Sequence, residues 1–165
     1  MAFDYSGKIT ALYNVLSNAN TTSAAVDLSG GLDERVQRIA MADPAIVNLR
    51  NYEFPAVFVK IDDKDEDFEG IGGTGSAREL KSADVNFQVV GLYKKYGATT
   101  TNDALLADVY RLADNIESVV REEYTLSNTA SWCQPAKTDF IGPFEGEGTL
   151  IKGVMITVKA KYYFR

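Results

Sequence analysis

The chain has 165 residues, 45% of them hydrophobic and 24% charged, the balance of a globular domain long enough to bury a core. Its net charge of −6 speaks against a surface that wraps duplex nucleic acid, which must meet phosphates with Lys and Arg. There is no histidine and a single cysteine, Cys133, so the commonest general base and metal ligand is missing, and neither an internal disulfide nor a cysteine metal cluster is possible.

The acidic balance leaves room for DNA as a passing neighbour, since a wall that must not hold DNA is acidic by the same physics. The first residues, MAFDYSGKIT, lack the basic and apolar regions of a signal peptide, and no stretch reaches the roughly 18 apolar residues of a membrane-spanning helix. A reducing, aqueous compartment is expected.

In chain order, Ile9, Leu12, Tyr13 and Leu16 recur at helical spacing, which predicts an amphipathic helix over 6–19 with Ser6 as its cap. Residues 20–31 are polar and end in glycine, a loop. A second, weaker helix is expected from Asp33 to Met41, stopped by Pro44. From Phe54 the period changes: FPAVFVKI reads as a strand that ends at an acidic run. In ADVNFQVVGLYKKY, Val85, Phe87, Val89 and Gly91 face one way and Asn86, Gln88 and Val90 the other.

The strongest helical signal follows. Leu105, Leu106, Val109, Leu112, Ala113, Ile116, Val119 and Val120 form one broad stripe, Thr101 or Asn102 can cap it, and Asp103 suits the positive end of the helix dipole. Residues 140–148 read as a loop. The final stretch alternates again, with Val154, Ile156, Val158, Ala160, Tyr162 and Phe164 on one face. Together these predict one α+β domain over residues 1–165: an N-terminal helical segment at 6–50, then a core at 52–165. Its antiparallel or mixed sheet is packed on one face by the long helix and the N-terminal helix, and it carries a long, flexible, acidic β-hairpin arm at 62–82.

The stretch DDKDEDFEGIGGTGS, residues 62–76, suggests two ligands, and neither survives its geometry. A calcium loop starting at Asp63 places carboxylates at Asp65 and Asp67, but Phe68 falls where glycine is required and Thr74 where the bidentate glutamate is required. Gly70, Gly72 and Gly75 match a dinucleotide fingerprint, yet an acidic run separates them from the strand before and a strand follows instead of a helix. Other candidates have equally plain explanations. Glu122 with Glu123, or Glu145 with Glu147, can be solvated helix ends and loops; Cys133 beside Trp132 can be a small apolar filler. Lys94, Lys95, Lys152, Lys159 and Lys161 can touch phosphates, or simply keep strand edges from pairing. No metal, cofactor or catalytic residue is expected.

The segment from about Tyr52 to Arg165 resembles the tail terminator, or tail completion, proteins of long-tailed bacteriophages. The elements that carry the resemblance are FPAVFV with its early proline and the long hairpin arm, SARELKSAD leading into VNFQVVGLY, the helix NDALLADVYRLADNIESVV, and the closing strand GVMITVKAKYYF. The N-terminal helix ITALYNVLSN fits the same plan. The resemblance implies a non-enzymatic structural subunit of a ring, usually a hexamer, on the last ring of the tail tube. There it ends tube polymerisation and joins the head connector or stopper protein, in the virion neck and, during assembly, in the host cytoplasm. DNA passes through the lumen without specific binding, and no membrane is involved. The acidic arm (Asp62, Asp63, Asp65, Glu66, Asp67, Phe68) and the final aromatics (Tyr162, Tyr163, Phe164) are then the expected interface elements. Two alternatives stay open: another neck or head-completion ring protein, and a small ligand-binding α+β domain.

Overall fold

The computed structural model describes residues 3–47, 49–50, 53–69, 80–96, 102–146 and 149–164. Helix α1 spans Tyr5–Asn18 and buries Leu12, Val15 and Leu16. Its cap is Asp4, whose carboxylate accepts the Gly7 amide at 2.9 Å. Ser6, expected as the cap, lies inside the first turn: Asp4 already satisfies the amide three residues on, so the helix starts earlier.

The loop after α1 is held by polar groups rather than left loose. Arg35 grips both carboxylate oxygens of Asp27, at 3.1 and 3.0 Å, and Asn20 donates to the Val36 carbonyl. Leu28 plugs the core, and Asn115 from the second helix donates to the carbonyls of Leu28 and Gly30.

The helix expected over Asp33–Met41 does not form. Strand β1, Arg38–Met41, runs there, parallel to β2, Ala56–Glu69, with Arg38 opposite Ala56 and Met41 opposite Val59. The helical pattern was weak; pairing with β2 satisfies this backbone and sets Ile39 against the core, so tertiary contact overrides local propensity. Pro44 does not end a helix either. It opens a 3-10 turn, Pro44–Ile46, a position where its missing amide costs nothing.

Strand β2 also outruns its expected end, passing through the acidic run to Glu69. It pairs antiparallel with β3, Leu80–Tyr96, from Ala56↔Leu92 to Glu69↔Leu80, with a bulge at Asp62. Thus 62–69 and 80–82 of the expected arm belong to the sheet, and 70–79 lie outside the described residues. Helix α2 spans Asn102–Glu122. Strand β4, Trp132–Gly146, stands where a loop was expected over 140–148, and pairs with β5, Thr149–Phe164, which also pairs with β3. Pro135 and Pro143, each beside a register shift, break the alternation that would have revealed β4; prolines and bulges are tolerated because β4 is an edge.

The sheet order is β1-β2-β3-β5-β4, with β1–β2 the parallel pair. Both helices cover one face: α2 lies over β3, β4 and β5, and α1 over β1 and β2. Val57, Val59, Val85, Phe87, Val89, Ile156 and Val158 meet the α2 stripe there. Gly91 lets α2 settle onto the sheet, since a Cβ at that position would lie 2.9 Å from Leu112 Cδ2 and 3.1 Å from Val154 Cγ1.

Candidate interaction surface

Neither α-helix packs on the opposite, outer face of the sheet, and the segment through the 3-10 turn to Leu49 covers one end of it. At one end of that face Ala56, Phe58 and Val90 are buried as a second small core, against Val47, Leu49, Leu92, Ile141 and Met155. Beside them opens a groove of about 480 Å³, lined among others by Val47, Leu49, Phe54, Leu92 and Phe144, with Lys94 the charged residue on its wall among the described residues. Gly153 lets Leu92 and Ile141 of the groove wall close over it: a Cβ there would lie 2.7 Å from Leu92 Cδ2 and 2.9 Å from Ile141 Cγ1. Phe144 is 55% exposed at the groove mouth. The sequence held one trace of this surface, Val90 and Leu92 apolar on the face expected to be polar; Ile141 and Phe144 sat in the expected loop.

The other end of the outer face is polar. Because β1 stops opposite Val59, the stretch of β2 from Lys60 to Glu69 is a sheet edge among the described residues. Its pairing places Asp63, Asp65 and Asp67 opposite Asn86, Asp84 and Ser82. Asn86 donates to the Asp63 carboxylate, whereas Asp65 and Asp84 are two like charges set directly across from each other. Glu66 lies on the helix side and pairs with Lys64, whose ammonium sits 4.9 Å from the centre of the Phe3 ring and 5.1 Å from that of Tyr5. The hydrogen bond from Lys64 to Glu66 raises the lysine above its usual range. Asp62 is the bulged residue. The side chain of Phe68 lies outside the described residues, as do Gly70, Gly72, Thr74 and Gly75. Among the described residues no group of three His, Cys, Asp or Glu is placed to hold a metal ion. What this edge does physically is resist strand addition, because a row of carboxylates makes pairing with a second chain unfavourable.

The three terminal aromatics take different places. Tyr162 is 2% exposed in the core, edge-on to Phe3 at 5.7 Å and under the Lys8 ammonium at 4.6 Å. Burial pushes its ionisation upward. Phe164 is half-buried against Phe3. Tyr163 is 45% exposed on the outer face, so surface contact from this trio rests mainly on Tyr163.

The five lysines do not form one stripe. Lys94, Lys159 and Lys161 belong to the outer face, while Lys95 and Lys152 fall in register positions on the helix side, where Lys95 pairs with Asp108 and Asp33. Cys133 is buried, and burial pushes its thiol up to about 12, the profile of an inert filler. Glu122 and Glu123 stand at the end of α2; the side chains of Glu145 and Glu147 lie outside the described residues. No described helix is long and apolar enough to cross a membrane.

No protein-family model matches the chain, and no curated protein matches its sequence. The class that fold and surface define is an α+β domain with one sheet face covered by both α-helices and the other covered only at one end.

Proposed function

We propose that this protein is a structural subunit of a ring at the head-proximal end of a phage tail tube, where it ends tube growth and joins the tail to the head connector or stopper. The observation that carries the reading is the apolar groove on the outer sheet face, between its strands and the Pro44–Leu49 segment, with Phe144 exposed at its mouth. Exposed apolar surface of this kind marks an interaction site, and contact with another protein is one of its uses. The acidic β2 edge supports the same reading, since it steers contact away from open-ended strand addition. Heterologous contacts between copies close a ring. The likeness of residues 52–165 to tail terminator proteins supplies the location; the two-layer plan of sheet and helices is compatible with it. The reading assigns the protein no catalysis and no resident cofactor, and it places DNA in the lumen as a passing, unbound polymer.

The test is a tube-growth assay. Added to polymerising tail-tube protein, the wild-type chain should cap tubes and fix their length, and Phe144→Asp should not. Tubes that lengthen unchanged with wild-type protein present would overturn the proposal. A small molecule seated stoichiometrically in the groove would favour the ligand-binding alternative instead, because 480 Å³ is also the size of a ligand site.

A further inference from the structure

A second groove, of about 220 Å³, lies on the helical side, between the C-terminal ends of α1 and α2 and the loop at Ala24–Val26. Its floor is apolar, made by Val15, Ala24, Val26 and Val119. The alanines matter: they leave the space that larger side chains would fill.

The charge around this floor has one sign. Glu122 and Glu123 stand on the rim, and no basic residue lines the groove among the described residues. Two helix C-termini converge here, and each carries partial negative charge on its last carbonyls. Backbone amides of Asn20 and Leu28 cap the Ser17 and Ala19 carbonyls of α1, but compensation by a basic side chain is missing or spent at both ends. Helix α1 has no basic residue in its last turn, and the one in α2, Arg121, is paired with Glu117 at 2.7 Å. Beyond α2 the chain turns through Leu126, Ser127 and Asn128, all three left-handed with φ of 46, 57 and 67°. Leu126 is fully buried and anchors that turn, which sets Ser127 at the groove's edge.

An apolar floor beneath a rim of two carboxylates and the neutral polar groups of Asn18 and Ser127 matches an aliphatic stem that ends in a cation. That is the form of a lysine or arginine side chain, whose methylenes bury while the head stays at the polar boundary. We infer that this groove receives a lysine- or arginine-bearing segment of a partner protein, as a contact separate from the outer sheet face. The charge complementarity commits the site to a basic partner: an acidic segment would meet two carboxylates and two helix C-termini.

Methyl NMR of the full chain tests this, with a short capped peptide in which one arginine is flanked by leucines, and a matched peptide with glutamine in place of the arginine. The arginine peptide should give saturable shifts at the methyls of Val15, Val26 and Val119, and its affinity should fall as salt is added. In Glu122→Gln/Glu123→Gln, both positions being exposed, binding should weaken at least about fivefold with the fold intact, the scale of two charge contacts at a rim. Three results would each overturn the inference: no movement of those methyls, an equal response to the glutamine peptide, or unchanged affinity in the double variant.

Discussion

Lys95 Nζ lies 2.5 Å from an Asp108 carboxylate oxygen and 3.2 Å from one of Asp33, so a single ammonium ties the end of β3 to α2 and to the loop before β1. Asp108 is almost fully buried, whereas the Asp33 side chain is 73% exposed. Contact with Asp108, more than with Asp33, holds Lys95 protonated above its ordinary range. The two halves of this link should therefore differ in weight. Lys95→Met strands the Asp108 charge and should cost about 3 kcal/mol, the low end for a broken buried pair. Asp33→Asn should cost less than about 0.5 kcal/mol. Urea denaturation of both variants measures the difference, and equal losses would refute the assignment.

Alkaline pH should unfold the protein through three groups. Burial raises the ionisation of Cys133 from 9.0 to about 12 and of Tyr93 from 10.0 to about 12, and it raises that of Tyr162 as well. Each group is neutral in the native state over a range where the unfolded chain ionises. Their contribution is fully present below pH 9 and is lost as pH rises from 9 towards 12. Stability against pH should thus fall across that window, and Cys133→Ala should make the fall shallower.

The Tyr162 hydroxyl is buried without a hydrogen-bond partner among the described residues. Removing an unsatisfied polar atom while keeping the ring is neutral or favourable. Tyr162→Phe should leave the melting temperature unchanged or raise it slightly, and should further flatten the alkaline decline. A clear drop in melting temperature would mean that the hydroxyl has a partner.

Gly91 should not tolerate a branched side chain. Gly91→Val drives two methyls into Leu112, Ile116 and Val154 and should cost about 2–3 kcal/mol, the scale of overpacking in a filled core. A smaller loss in chemical denaturation would show that α2 can lift from the sheet without penalty.

The carboxylates of the β2 edge should act as a guard. Replacing Asp63, Asp65 and Asp67 by threonine removes the charge and adds β propensity on an unpaired strand. Light scattering should then show concentration-dependent aggregation from an otherwise folded chain. A variant that stays as dispersed as the wild type would show that the edge is closed by something else.

How far the sequence disclosed this molecule depends on where each residue's partner lies. The α2 stripe from Leu105 to Val120 and the alternations Val85–Val89 and Val154–Tyr162 repeat at the period of their own element, so one dimension of information suffices. Strand β1 has only four residues, and Arg38 to Met41 suit a helix as well as a strand; its pairing with Ala56–Val59 decides the matter. Strand β4 carries two prolines and two bulges that erase its period. The acidic run was legible as an exposed hairpin arm, but not as a continuation of the strand begun at Ala56, because its partners at Leu80–Asn86 are supplied from across the hairpin. Neither groove has a local signature. Phe144, Val47 and Phe54 come together only when β4 and the segment after β1 reach the same sheet face, and Glu122 meets Ala24 only when two helix ends converge.

The central claim is that this chain builds a ring through the groove on its outer sheet face, and the most direct measurement is its mass in solution, alone and with tail-tube protein added. The account predicts an assembly of several copies, in isolation or on tube ends, that is lost in Phe144→Asp while the monomer keeps its fold. A chain that stays monomeric in both conditions would contradict it.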